Sequence, residues 1–71
     1  MLDPSFNGNL ANKVRHYRTK AGISQEAIAD SIGISSSSYS QRELGIVSFR
    51  CDELHLIGKI LLINFFSEIL R

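Results

Sequence analysis

Ser24-Gln25-Glu26-Ala27-Ile28-Ala29-Asp30-Ser31-Ile32-Gly33-Ile34-Ser35-Ser36-Ser37-Ser38-Tyr39-Ser40-Gln41-Arg42-Glu43-Leu44-Gly45 reads as two short helices joined by a tight turn. Ser24 is a candidate N-cap, because its hydroxyl can satisfy a free amide of the first helical turn. Ile28, Ala29 and Ile32 recur at helical spacing and give that helix an inward face. Gly33 stands where the helix should stop, since glycine enters the left-handed conformation cheaply. Ile34 carries the apolar contact through the turn, and Ser35 is a second candidate N-cap. Tyr39 and Leu44 are expected to face the core from the second helix, with Gly45 as its stop. Helices joined this closely cross steeply and cannot lie flat and antiparallel.

The stretch resembles the helix-turn-helix of phage repressor and Cro-type proteins, the XRE family of small regulators. The residues that carry the resemblance are Gly22-Ile23-Ser24-Gln25-Glu26, Ile28-Ala29, Ile32-Gly33-Ile34-Ser35, Tyr39-Ser40, and Glu43 with Gly45. It extends roughly from Leu10 to Ile63, most of the chain. It implies an all-α, lambda-repressor-like domain of four to five helices, with the helix after Ser35 entering a DNA major groove. Base contacts are then expected from Ser36, Ser37 and Gln41, with Ser35, Ser40 and Arg42 beside them. Gln41 is the most informative, because its amide can contact adenine N6 and N7 together. By the family's pattern Gln25 contacts a phosphate from the start of its helix, where the helix terminus favours an anion in any case. Ser48 and Arg50 are candidates for the next phosphate. The resemblance also pairs Arg18 with Glu43, a clamp of helix one onto the end of helix three that serves architecture, not readout.

This sequence departs from the family's pattern in places. Arg42 fills a position that is usually apolar or aromatic, so it either points to phosphate or weakens the packing. Ala27 replaces a glutamate that would complete a capping box with Ser24. Phe49 takes a slot where proline is common and is expected to pack inward, while Arg50 replaces a serine cap. Cys51, at a usually apolar position, is expected to be a small core residue.

Outside the central stretch, residues 1–8 are expected to form a flexible arm and residues 9–71 one domain. Helix one should begin near Asn7 or Asn9 and end near Lys20 or Ala21, with Leu10, Val14 and Tyr17 as its inward stripe. Helix four is expected from about Cys51 to Leu62, with Leu54, Ile57, Gly58 and Leu61 on one stripe. A short fifth helix or turn should follow through Phe65, Phe66, Ile69 and Leu70. Leu56, Ile60, Ile63, Phe65, Phe66 and Ile69 exceed what one core-facing side needs, which points to a homodimer built on residues 52–71.

Composition sets bounds on function. A 71-residue chain has room for one small core, and a subunit partner is plausible at that size. The net charge is +1, with +2 over residues 1–50 and −1 over residues 51–71, so the basic charge lies with the helix-turn-helix. Few phosphate contacts and a shallow salt dependence per subunit should follow. The single cysteine excludes an intrachain disulfide and fits a reducing cytoplasm. The amino terminus, with Asp3, Pro4 and Asn7, does not read as a secretory signal. His55, Lys59, Asn64 and Glu68 interrupt the apolar run of residues 54–70, which argues against a membrane span.

The serines invite a nucleophile hypothesis, but His16 and His55 fall on other predicted helices, so no enzyme is expected. Cys51, His16 and His55 lack paired ligand spacing, and neither a metal nor a cofactor is expected. Double-stranded DNA, a second copy of the chain and a contact with RNA polymerase are the expected partners. The rival is an antitoxin or adaptor whose main partner is a protein, since a fold does not settle function.

Overall fold

The structure, a computed structural model, describes the backbone of residues 4–69 and the side chains of residues 8–65. Four helices follow one another there: α1 (Pro4–Lys20), α2 (Gln25–Ile32), α3 (Ser36–Glu43) and α4 (Cys51–Ile69).

The chain ends its first three helices in the same way. Gly22, Gly33 and Gly45 all have positive φ, near 80°. An isoleucine follows each one, and its amide reaches back to a carbonyl inside the helix. Ile23 bonds Arg18 at 3.1 Å, Ile34 bonds Ala29 at 3.0 Å and Ile46 bonds Gln41 at 3.0 Å. This is the six-to-one bond of a Schellman closure, in which glycine accepts the left-handed backbone and the next residue is free to pack on the helix. Ile23 and Ile34 do pack against the core, whereas Ile46 is 72% exposed. The starts of α2 and α3 are equally local in origin. Ser24 and Ser35 are extended, and their Oγ atoms accept from the amides of Ala27 and Ser38 at 3.0 and 3.1 Å. Each such cap is worth about 1 kcal/mol.

The start of α4 lacks a cap from Arg50, as expected, and is closed from within the helix. Glu53 reaches back to accept the Arg50 amide at 2.9 Å. That is the return half of a capping box, supplied by the acid at the third helical position. The far end of α4 departs from expectation. Among the described residues no fifth helix forms: α4 runs on to Ile69 with no glycine or proline after Leu62, and the Asn64 side-chain amide donates back to the Ile60 carbonyl at 3.2 Å, while Leu70 lies outside the described residues. Helix α1 begins earlier than expected, at Pro4, inside the segment read as an arm. Proline suits a first helical position, since its missing N–H is not needed there.

The core joins Val14, Ile28, Ala29, Ile32, Tyr39 and Ile57, with Leu10, Phe49, Leu54, Ile60 and Leu61 packed around them. Helix α3 rests on α1 and α2, and α4 rests on α2. Four expectations about the core fail. Val14 faces inward as expected, but Tyr17 is exposed, and Ala11 and Arg18 complete the inward face of α1. Leu44 is 66% exposed, because Tyr39 and Glu43 hold the inward positions of α3. Gly58 lies outside the inward stripe of α4, and Cys51 is exposed on its first turn. No helix among the described residues is long and apolar enough to cross a membrane.

Candidate nucleic-acid interface

Two buried polar groups fix the attitude of α3. Arg18 donates through Nε to Glu43 Oε2 at 2.8 Å and through Nη2 to Oε1 at 2.9 Å, a fork-to-fork pair between α1 and the end of α3. Its remaining nitrogen, Nη1, donates to the Ile23 carbonyl at 2.7 Å, so one guanidinium also ties down the turn before α2. Gln25 Nε2 donates to Glu43 Oε1 at 3.1 Å and brings α2 into the same network. Burial alone would raise the Glu43 pKa, but its hydrogen bonds and the charge of Arg18 outweigh that and hold it below the ordinary carboxylate value. The bond to Glu43 raises the Arg18 pKa further. The Tyr39 hydroxyl sits beside this pair, buried and without a well-aligned hydrogen bond among the described residues. Burial, then the nearby carboxylate, push its pKa well above the ordinary phenol value. Its ring meets Phe49 edge-on, with centroids 6.0 Å apart, so Phe49 packs inward as expected.

With Tyr39 and Glu43 turned in, the opposite side of α3 faces out. Ser36, Ser37 and Gln41 are exposed, and Ser37 and Gln41 lie four residues apart on one helical face. Ser40 is half-buried on the flank. Ser35 is occupied by capping, and its hydroxyl also donates to Ser38 Oγ at 3.0 Å. Gln25 lies at the head of α2 with its amide nitrogen directed to Glu43, which sets the orientation of its carbonyl oxygen. Ser48 and Arg50 are exposed on the loop before α4, and Arg50 Nε lies 3.3 Å from Asp52 with both side chains in solvent.

Arg42 sits elsewhere than the sequence suggested. Its Nε donates to Glu53 Oε1 at 2.8 Å and its Nη1 to the Ser38 carbonyl at 3.0 Å, with the side chain largely buried. The arginine in an apolar slot is thus accommodated by a matching acid on α4, eleven residues away. Glu53 was the residue that sequence reasoning missed. Its one signal in the sequence is its place three residues after the start of α4, where an acid can bond back to the cap residue's amide and also suits the helix dipole.

At the far end of the molecule, Leu56, Leu62, Ile63 and Phe65 are exposed along α4, with Ile63 at 69%. Ile60 instead packs against the protein's own core. Phe66 and Ile69 lie outside the side chains described. No group of His, Cys, Asp and Glu among the described residues is arranged to hold a metal ion.

The model of the family described as Helix-turn-helix matches residues 14–61, about two thirds of the chain. That span runs from the inward face of α1 through the first half of α4 and contains the whole Arg18–Glu43 network. No curated protein and no solved structure matches the chain at a significant level.

Proposed function

The chain belongs to the helix-turn-helix family of repressor and Cro type and is a DNA-binding regulator, and from that premise we propose that it acts as a homodimer on a palindromic operator. Helix α3 is the recognition element, and the observation that carries this reading is its two-sidedness. Its inner face is held by a buried ion pair, while Ser36, Ser37 and Gln41 stand exposed together on the outer face. Gln41 reads a base pair, and the serines contribute close approach and water-bridged contacts. Gln25, Ser35, Ser40, Ser48 and Arg50 border that face and orient the domain on the phosphates.

Exposed apolar side chains along the second half of α4 support the dimer, since a small monomer gains nothing by showing Leu62 and Ile63 to water. Two subunits paired there, with Phe66 and Ile69 in the same interface, would set their α3 helices about 34 Å apart, one turn of DNA. Regulation follows from occluding or contacting RNA polymerase at the operator, in the cytoplasm, as in short Cro-like switches or restriction-modification controllers.

A gel shift on DNA from immediately upstream of the protein's own gene, against a scrambled duplex of equal composition, tests this reading. Selective binding that weakens with salt is expected, while equal or absent binding on both duplexes counts against this operator. The second reading, an antitoxin or adaptor with a protein partner, draws on Leu44 and Ile46, both well exposed beside the end of α3. A pull-down that captures a partner through these two side chains would favour it.

A further inference from the structure

Glu53 is a buried acid for which the DNA-binding reading has no use. It is 5% exposed, and a single oxygen, Oε1, accepts from both Arg42 Nε and the Arg50 amide. A second nitrogen of the same guanidinium, Nη1, donates to the Ser38 carbonyl, one turn back along α3. One carboxylate therefore links the second half of α3 to the first turn of α4. The two helices otherwise rest mainly on α2, with α3 also on α1. A fork that donates in two directions holds an orientation as well as a distance.

We propose that Arg42 and Glu53 are positioning residues for DNA recognition, fixing the angle between the recognition helix and α4, and that Arg42 does not itself contact DNA. This rests on the reading of α3 as the groove element and α4 as the dimer element. In a two-fold dimer an error in that angle appears once in each half-site and in opposite senses across the dyad. Each α3 lies about 17 Å from the dyad, half of the roughly 34 Å between half-sites. A tilt of about 5° then displaces it by about 1.5 Å, enough to break a hydrogen bond to a base edge.

The test uses the full chain and a duplex that the unmodified protein selects from a random-sequence pool, beside a scrambled duplex of the same composition. Affinities are measured across a salt series, well below the melting midpoint of each variant. Glu53→Gln keeps an oxygen for the Arg50 amide, so the start of α4 is retained, but removes the charge that pairs with the Arg42 guanidinium. Glu53→Gln and Arg42→Met should each lower the selected-to-scrambled affinity ratio about fivefold or more. The double variant should be no worse than either single one, and the salt slopes should not change. A phosphate contact by Arg42 gives a different pattern: Glu53→Gln tightens binding to both duplexes, and Arg42→Met makes the slope shallower by about 1. A merely structural role lowers the melting midpoints and leaves the ratio unchanged. Either pattern overturns the proposal while leaving the DNA reading intact. Failure of the unmodified protein to enrich any sequence overturns both.

Discussion

The two ends of this molecule solve the problem of a small core in opposite ways. Over α1 to α3, the chain closes upon itself: three Gly-Ile closures, two serine caps and a bidentate ion pair leave few polar groups unsatisfied. Along the second half of α4, apolar side chains continue past the point where the domain can cover them, and Leu62 and Ile63 stand in solvent. The first region carries its stabilising partners within one chain. The second leaves apolar side chains for another surface to cover, which is why we propose it for dimerisation. On the proposed reading, the element that must be rigid, α3, is separate from the element that meets a second copy.

The largest effect should come from removing Arg18. Arg18→Met leaves Glu43 buried without its partner, at a cost of about 3–5 kcal/mol. A 71-residue domain has roughly 4–10 kcal/mol in total, so urea denaturation should find this variant close to unfolded at 25 °C. A loss under about 1 kcal/mol would mean that the pair is no more than a solvated contact, and the contrast between the two ends would weaken. Next in size is the α4 end. Ile63→Asp should raise the dimer dissociation constant about thirtyfold or more, read by sedimentation, while the monomer keeps its helical spectrum. Equal loss of helix and dimer would show that α4 supports the fold and not only the assembly. Gln41→Ala should flatten preference at one base pair by about 1–3 kcal/mol without touching stability or assembly.

Acid sharpens the same contrast. The Glu43 pKa is held below its ordinary 4.5, so the unfolded chain takes up its proton first as pH falls. The stabilisation from this pair is complete at neutral pH and is lost as pH falls through 4.5 toward the lower native value. Acid titration followed by circular dichroism should therefore show a transition in the native protein that Glu43→Gln, already weakened, shows less of. The smallest effect belongs to the exposed pair Arg50–Asp52. Asp52→Ala should change stability by less than about 0.5 kcal/mol.

Much of this fold was legible because the signals are local. A serine before an apolar-periodic run and a glycine after it determine their own backbone conformation, so both short helices and the turn between them were placed correctly. The inward faces of α1 and α3 were harder to read, and for one shared reason. Arg18 and Glu43 occupy inward positions that apolar periodicity assigns to hydrophobic residues, so the pattern shifted to Tyr17 and Leu44, which are exposed. The family resemblance, not periodicity, was what pointed to the Arg18–Glu43 pair. Arg42 illustrates the remaining gap. Its partner Glu53 lies on another helix, and a pair formed only by tertiary packing leaves no mark in the spacing of either segment.

The central claim, a dimer that presents two copies of α3 to one face of DNA, is tested most directly by a hydroxyl-radical footprint on the duplex the protein selects. The account predicts two protected patches related by a dyad, with centres about 10 base pairs apart on one side of the helix. A single protected patch, or two patches with no two-fold relation between their sequences, would contradict it.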